Sequence, residues 1–431
     1  PGKMKIIGKN KIIIFLILII SITLFGCMND MEHQGNWSSP VADENYLYVP
    51  SDSGKILKFS KSNGSVVNGW EFPMGENSLG SFYGNMILND EILYGSAYGN
   101  GEGKKCQNRK CISSLFAIDI INGDSIWMEE YITINGSIVG GVVYHNDVIY
   151  AATSENDKSS DAGGYLYAVD AKSDSNKTLD ELSSKILWRI SLEDEIYGKP
   201  FLDEEQEIVI IGGLNGEIAL IDIKNSDSYI SNSQNRLIFT EQSEFPIISS
   251  IIKVSKNSYC YGNISGKLKC FDLKLSSSNI SSINGLNYWA ELGLDGWIWS
   301  EIAALNNSYY VITLSGWLYR IDIDPDAELL SIVWEKELKF DGKPIAGLVP
   351  YSFRNQTLLA VPFDKDKIII IEDGTGSMLG EYPLKNGVQS LPVVDSNLIF
   401  TIDREDNFRG YSIADRSQII CFDLDDMKGC D

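Results

Sequence analysis

The chain has 431 residues, a net charge of −23, seven cysteines and two histidines, His33 and His145. An acid excess on this scale opposes nucleic acid and anionic lipid as partners, since both are polyanions. Two isolated histidines and no Cys-x-x-Cys-His stretch leave no basis for a histidine metal centre or a covalently attached haem.

From the N-terminus, Lys3, Lys5, Lys9 and Lys11 precede an apolar run, Ile12 to Phe25. A basic flank, a short apolar core and a small residue before a cut make a secretory signal. The run is shorter than the roughly 20 residues a membrane-spanning helix needs. It ends in Leu24-Phe25-Gly26-Cys27, which resembles the bacterial lipobox, where cleavage leaves a lipid-modified Cys at the new N-terminus. Phe25 departs from the small or β-branched residue usual at its place. The expected division is a signal peptide over 1–26, a lipidated N-terminus with a closing strand over 27–38, and a folded domain over 39–431. Removing residues 1–26 takes away lysines and no acid, so the mature chain is more acidic still.

Beyond residue 38 one unit recurs about eight times. A short apolar strand is followed by a second strand, a Gly turn, a third strand ending in Asp, and an aromatic residue, often Trp. The first unit has Tyr46 to Val49, Gly54, Ile56 to Phe59 and Trp70. The third has Val148 to Tyr150, Tyr165 to Asp170 and Trp188; the sixth has Tyr309 to Ile312, Gly316, Leu318 to Asp322 and Trp334. Each unit predicts four short antiparallel strands and no long amphipathic helix. One such sheet cannot bury both faces, whereas radial stacking of several can. The fold class expected is all-β, an eight-bladed β-propeller of four-stranded antiparallel blades. The recurrent aromatics are expected between blades, and the recurrent Asp as a cap on the turn after it.

The eighth unit reads Pro392 to Val394, Leu398 to Phe400, an insertion Arg404 to Ser417, and a third strand Ile419 to Asp423. A fourth strand is then missing, and residues 28–37 are predicted to supply it from the N-terminal side. Further polar insertions are read at Ser96 to Ser114, Ser154 to Gly164, Lys172 to Lys185 and Lys224 to Asn235.

Apart from Cys27 the cysteines fall into three local pairs, Cys106 with Cys111, Cys260 with Cys270, and Cys421 with Cys430. Local pairs in an exported chain predict disulfides. In Tyr259 to Cys270 a three-residue loop, Ile264-Ser265-Gly266 with Gly266 left-handed, sets Cys260 opposite Cys270 as a non-hydrogen-bonded pair.

The unit, with Gly164-Tyr-Leu-Tyr-Ala-Val-Asp170 and Gly316-Trp-Leu-Tyr-Arg-Ile-Asp322 as its clearest copies, resembles the repeat of the PQQ-like (quinoprotein alcohol dehydrogenase-like) β-propellers. The resemblance spans roughly 35–431. It implies either a quinone-dependent dehydrogenase or a non-enzymatic propeller, such as the lipoprotein scaffold of the outer-membrane assembly machinery. The dehydrogenases use an adjacent Cys-Cys pair that stacks on the quinone, and no such dipeptide occurs here. Asp322-Ile-Asp-Pro-Asp-Ala-Glu328 has alternating acids but lacks the Gly of an EF-hand calcium loop. No catalytic residue, cofactor or metal ligand is therefore assigned.

Residues just before the first strands are expected to face one rim and the axial channel. There stand Tyr83, Tyr197, Lys199, Phe245, Trp297, Trp299, Lys343 and Gln389. Exposed aromatics with a few polar groups suit a binding surface. The expected function is a non-catalytic protein-interaction scaffold, monomeric, membrane-anchored through lipid and periplasmic or cell-surface. The alternatives are a PQQ-dependent dehydrogenase and a surface carbohydrate- or ligand-binding module.

Overall fold

The computed structural model describes residues 37–100, 106–107, 110–155, 163–174, 184–225, 233–275 and 283–430. Those from 37 onward belong to one compact unit. It is all-β: eight antiparallel sheets follow one another along the chain, each taking its strands from one continuous stretch. These are the eight blades of the expected propeller. In blade four the order is Phe201–Asp203, Ile208–Gly212, Glu217–Asp222 and Leu237–Gln242, each paired to the next.

Strand alternation explains the ring. Successive side chains of a strand point to opposite faces. In blade four, Val209 and Ile211 enter the core shared with blade three, and Ile208 and Ile210 the core shared with blade five. Central strands therefore read as continuous apolar runs, because both faces are buried. Each pair of neighbouring blades has its own core, and the last of them joins Phe400, Ile402 and Phe408 of blade eight to Leu47, Val49 and Phe59 of blade one. That core closes the ring.

The recurrent aromatics do sit between blades. The Trp70 indole donates to the Ile120 carbonyl of blade two at 3.0 Å. It packs on Gly123, where φ is +83° and a Cβ would lie 3.3 Å from the ring. In the same way Trp334 donates to the Asp373 carbonyl of blade seven at 2.6 Å and packs on Gly376. At the seam Ile420 of blade eight takes the Trp place and packs on Gly64 of blade one. The recurrent Asp caps its turn as expected: Asp119, Asp170 and Asp222 each accept from the backbone N–H two residues on.

In blades three to eight the outer strand slips by one residue against the third, leaving Leu187, Ile238, Trp289, Val333, Leu379 and Ile419 without an opposite number. A bulge of this kind adds local twist.

Blade eight corrects the sequence reading. The stretch taken as an insertion holds the strand Asn407–Ser412, so Gln418–Asp423 is the fourth strand and not the third. Its outer edge carries a further short strand, Lys428–Gly429. The blade is complete from the C-terminal stretch, and the missing place assigned to residues 28–37 does not exist. The misreading arose because Asn407-Phe-Arg-Gly-Tyr-Ser412 carries polar residues and Gly among its apolar positions. Of the closing segment only Trp37 is described; its N–H bonds to the Phe82 carbonyl at 2.9 Å and it is in no strand. Cys27 and the signal segment lie outside the described residues, as do 156–162, 175–183 and 226–232 of the insertions.

The stretch 96–114 is partly a hairpin: the strands Ile92–Asn100 and Lys110–Asp119 extend toward its tip. There Cys106 stands opposite Cys111 in register, and Cys111 is disulfide-bonded. Cys260 and Cys270 are bonded, opposite one another with Cα atoms 4.1 Å apart, and Gly266 has φ +82°. Cys421 and Cys430 are bonded and fasten the last short strand.

Candidate functional site

After each outer strand the chain crosses to the inner strand of the next blade. These inner strands are short, as in Phe201–Asp203 and Ala303–Leu305, because the sheets narrow toward the axis. Where they reach the inner strands the crossing segments bend, at Gly84, Gly198, Ser249, Ser300 and Ser390, and the residues on either side of each bend come in pairs. Tyr83 and Asn85, Tyr197 and Lys199, Ile248 and Ser250, Trp299 and Glu301, and Gln389 and Leu391 are such pairs, and all line one axial cavity of about 150 Å³. In blades two to four the crossing segments touch through bare backbone. A Cβ on Gly84 would come within 2.2 Å of Gly141, and one on Gly140 within 2.3 Å of Gly198. Glycine at these places is what keeps the bore narrow.

Below it a wider cavity of about 580 Å³ is lined by inner-strand residues, among them Ile87, Val143, Phe201 and Ile252. Lys199, Ser250 and Glu301 belong to both cavities. The Ser250 hydroxyl donates to the Glu301 carboxylate at 2.9 Å. One cation and one acid thus stand where the bore meets the wider chamber.

The sector from blade two to blade four is aromatic and acidic. Tyr83 packs edge-on against Trp37 and Tyr98. Burial raises the phenols of Tyr83, Tyr98 and Tyr197 above the ordinary tyrosine range, with the charges of Asp52, Glu155 and Glu195 adding to it in turn. Burial also raises the Glu195 carboxyl, helped by Glu155 and Asp194. These acids are crowded, and a cation placed among them would relieve that crowding.

Of the residues expected at the rim, Tyr83, Tyr197, Lys199, Trp299 and Gln389 line the bore. Phe245, Trp297 and Lys343 do not. They lie earlier in the crossings, over the hairpin turns, where the Trp297 carbonyl accepts from Leu314 N–H and the Lys343 carbonyl from Asp364 N–H. Trp297 is 53% exposed and Phe245 37%. Asn85, Ser250, Glu301 and Leu391 were missed at the sequence level, although each stands two places after a lining residue. Trp37 had no such signal. Among the described residues no group of three His, Cys, Asp or Glu could hold a metal ion. The acidic run Asp322 to Glu328 forms the end of a strand and its turn, where Asp324 accepts from Ala327 N–H at 3.0 Å.

No protein-family model and no curated protein matches the sequence. Solved structures do match. The chain is similar to BamB from Moraxella catarrhalis, with a TM-score of 0.58 at 14% identity, over 85% of this chain and 91% of that one. The fold is that of BamB. The computationally designed Ika8 protein is similar as well, with a TM-score of 0.58 at 12% identity, over 89% of this chain and 98% of that one. At such identities the likeness is one of architecture and does not extend to side chains in the bore.

Proposed function

We propose that this chain is a non-catalytic, extracytoplasmic propeller that holds a segment of a partner protein at the axial mouth and is tied to a membrane through Cys27. The observation that carries the reading is the convergence of the crossings on one axial cavity. It sets aromatic side chains (Tyr83, Tyr197, Trp299) and polar ones (Asn85, Lys199, Glu301) around one bore. Aromatic anchors beside a few directional polar groups are the composition of energetically dominant contact sites. Disulfides at Cys260–Cys270 and Cys421–Cys430 fit an oxidising compartment outside the cytoplasm. The resemblance to a family with non-enzymatic scaffolds agrees with this, and the missing adjacent Cys pair disfavours the quinone-dependent alternative.

The test is crosslinking in the native cell followed by mass spectrometry. With Lys199→Ala and Trp299→Ala combined, recovery of the wild-type partners is expected to fall about tenfold or more, as for loss of central anchors. The thermal melt should stay unaltered. An unchanged partner set would overturn the reading.

A further inference from the structure

A second surface lies far from the bore, on the circumference. Among the described residues, none of the exposed large apolar side chains lies on the outer strands of blades one to four. Those that lie on an outer strand all belong to blades five to eight, with Tyr288 on blade five, Met378 and Leu379 on blade seven and Ile419 on blade eight. Blade six is the centre of the belt. Its outer strand, Leu329–Glu337, exposes Leu329 at 54%, Ile332 at 38% and Val333 at 45%.

This strand ends its sheet, and among the described residues no further strand pairs with it. It runs nine residues, against roughly five or six for a common strand. Proteins usually blunt such an edge with proline, inward charge or a cover, because free N–H and C=O groups recruit another strand. Blade eight shows the cover: Lys428–Gly429 pairs along its outer strand and the Cys421–Cys430 bond holds it there. Blade six has neither proline in the strand nor, among the described residues, a covering strand, and its bulge at Val333 and its charges Glu335 to Glu337 leave Leu329 to Ile332 open.

Charge says what would cover it. Asp324, Asp326 and Glu328 are exposed at the start of the strand, and Glu335 and Glu337 at its end. Lys339 already pairs with Glu337 at 2.8 Å, which leaves Lys336 as the exposed cation within the strand. A second copy of this chain fits poorly. Antiparallel self-pairing about Val333 would set Glu337 of one chain opposite Leu329 of the other and so beside its Glu328, and each chain carries a net charge of −23. We propose that the outer edge of blade six takes an extended segment of a partner protein as an added strand, apolar in its middle and basic at both ends. Main-chain bonds supply the affinity and alternate side chains the selectivity. The acids at Glu328 and Glu335 are seven residues apart, so the cations of the segment sit about 23 Å apart at roughly 3.3 Å per residue. The proposal concerns a different surface from the bore and stands without it.

The probe is a fluorescent synthetic peptide alternating Val and Thr, with two lysines at each end, titrated against the full chain by anisotropy. Saturable binding that weakens with salt is expected, and a matched peptide with glutamates at its ends should bind about tenfold more weakly. Leu329→Lys with Ile332→Lys, both at exposed positions, should cost about tenfold in affinity with the melt retained, while Lys199→Ala with Trp299→Ala should leave it unchanged. In the wild-type chain, hydrogen exchange of Leu329–Glu337 amides should slow when the basic peptide is bound. Equal binding of the two peptides, or no protection of this strand, would overturn the proposal. So would a concentration-dependent dimer in sedimentation that the lysine pair abolishes.

Discussion

Asp406 lies in the hairpin turn between Leu398–Ile402 and Asn407–Ser412, 2% exposed, and accepts from the Asp52 N–H of blade one at 2.9 Å. Burial, then the charge of Asp52, pushes its carboxyl up to about 8. Glu217, buried beside Asp194 and Glu193, is pushed up to about 7 by burial first and those charges next. Both folded values lie above the roughly 4 of an unfolded carboxyl. The fold therefore favours the protonated forms. The stability they contribute is fully present below about pH 4 and lost as pH rises through 7 to 8. Glu372, held below the usual range first by the Thr375 hydroxyl, acts the opposite way and only in acid. The melting temperature is expected to fall between pH 5 and 9. Asp406→Asn should flatten that slope and raise the melt at pH 9 by about 3 °C or more. A melt that rises over this range, or a slope untouched by Asp406→Asn, would contradict the assignment. Residues of this kind were invisible in the sequence, because an Asp in a polar turn gives no sign of being buried by the next blade.

At the scale of the element the blade was largely legible. Two-residue turns such as Asn306-Asn307, with φ of +52° and +62°, join first and second strands in the form that Asn favours. The cysteine hairpin of blade five was legible because its geometry is local: loop length and Gly266 set the register. The aromatic at the end of each unit was legible as to role and not as to position. Trp188 pairs in register with Ala168, whereas in blade five Ala290 holds the matching place opposite Cys270, and Trp289 is the bulged residue. The Trp289 indole instead donates to Asp272 at 3.1 Å. A bulge adds a residue without changing local composition, so spacing alone cannot locate it. The packing of Trp70 on Gly123 makes a quantitative claim. Trp70→Ala should cost about 3–5 kcal/mol in denaturant unfolding, the range for a buried aromatic. Trp297→Ala, at an exposed place, should stay within about 0.5 kcal/mol. Equal losses would remove the distinction drawn between wedge and rim.

For the whole molecule the seam between blades eight and one decides integrity. There Ile420 packs on Gly64, Asp52 N–H bonds to Asp406, and Lys61 pairs with Asp395. A Cβ on Gly64 would come within 2.4 Å of Ile420, and φ there is +68°. Gly64→Val should therefore open this one joint, lowering stability by about 2 kcal/mol or more. Limited proteolysis should then cut first in blades one and eight. Unchanged stability, or first cuts elsewhere in the ring, would show that closure lies in other contacts.

Alternation, glycine turns and cysteine spacing act over a few residues. For that reason the number of blades, their antiparallel make-up and the pairing of Cys260 with Cys270 and of Cys421 with Cys430 could be read from the chain alone, as could the place of five residues that line the bore. Closure joins residues 354 and 334 positions apart, Asp52 with Asp406 and Lys61 with Asp395. A strand's local pattern is the same whether it lies third or outermost in its blade, so Gln418–Asp423 could be placed only by its neighbour Asn407–Ser412. The bare outer edge of blade six is likewise a fact of pairing in space. An apolar run such as Leu329 to Trp334 reads as core until the sheet is seen to end beside it.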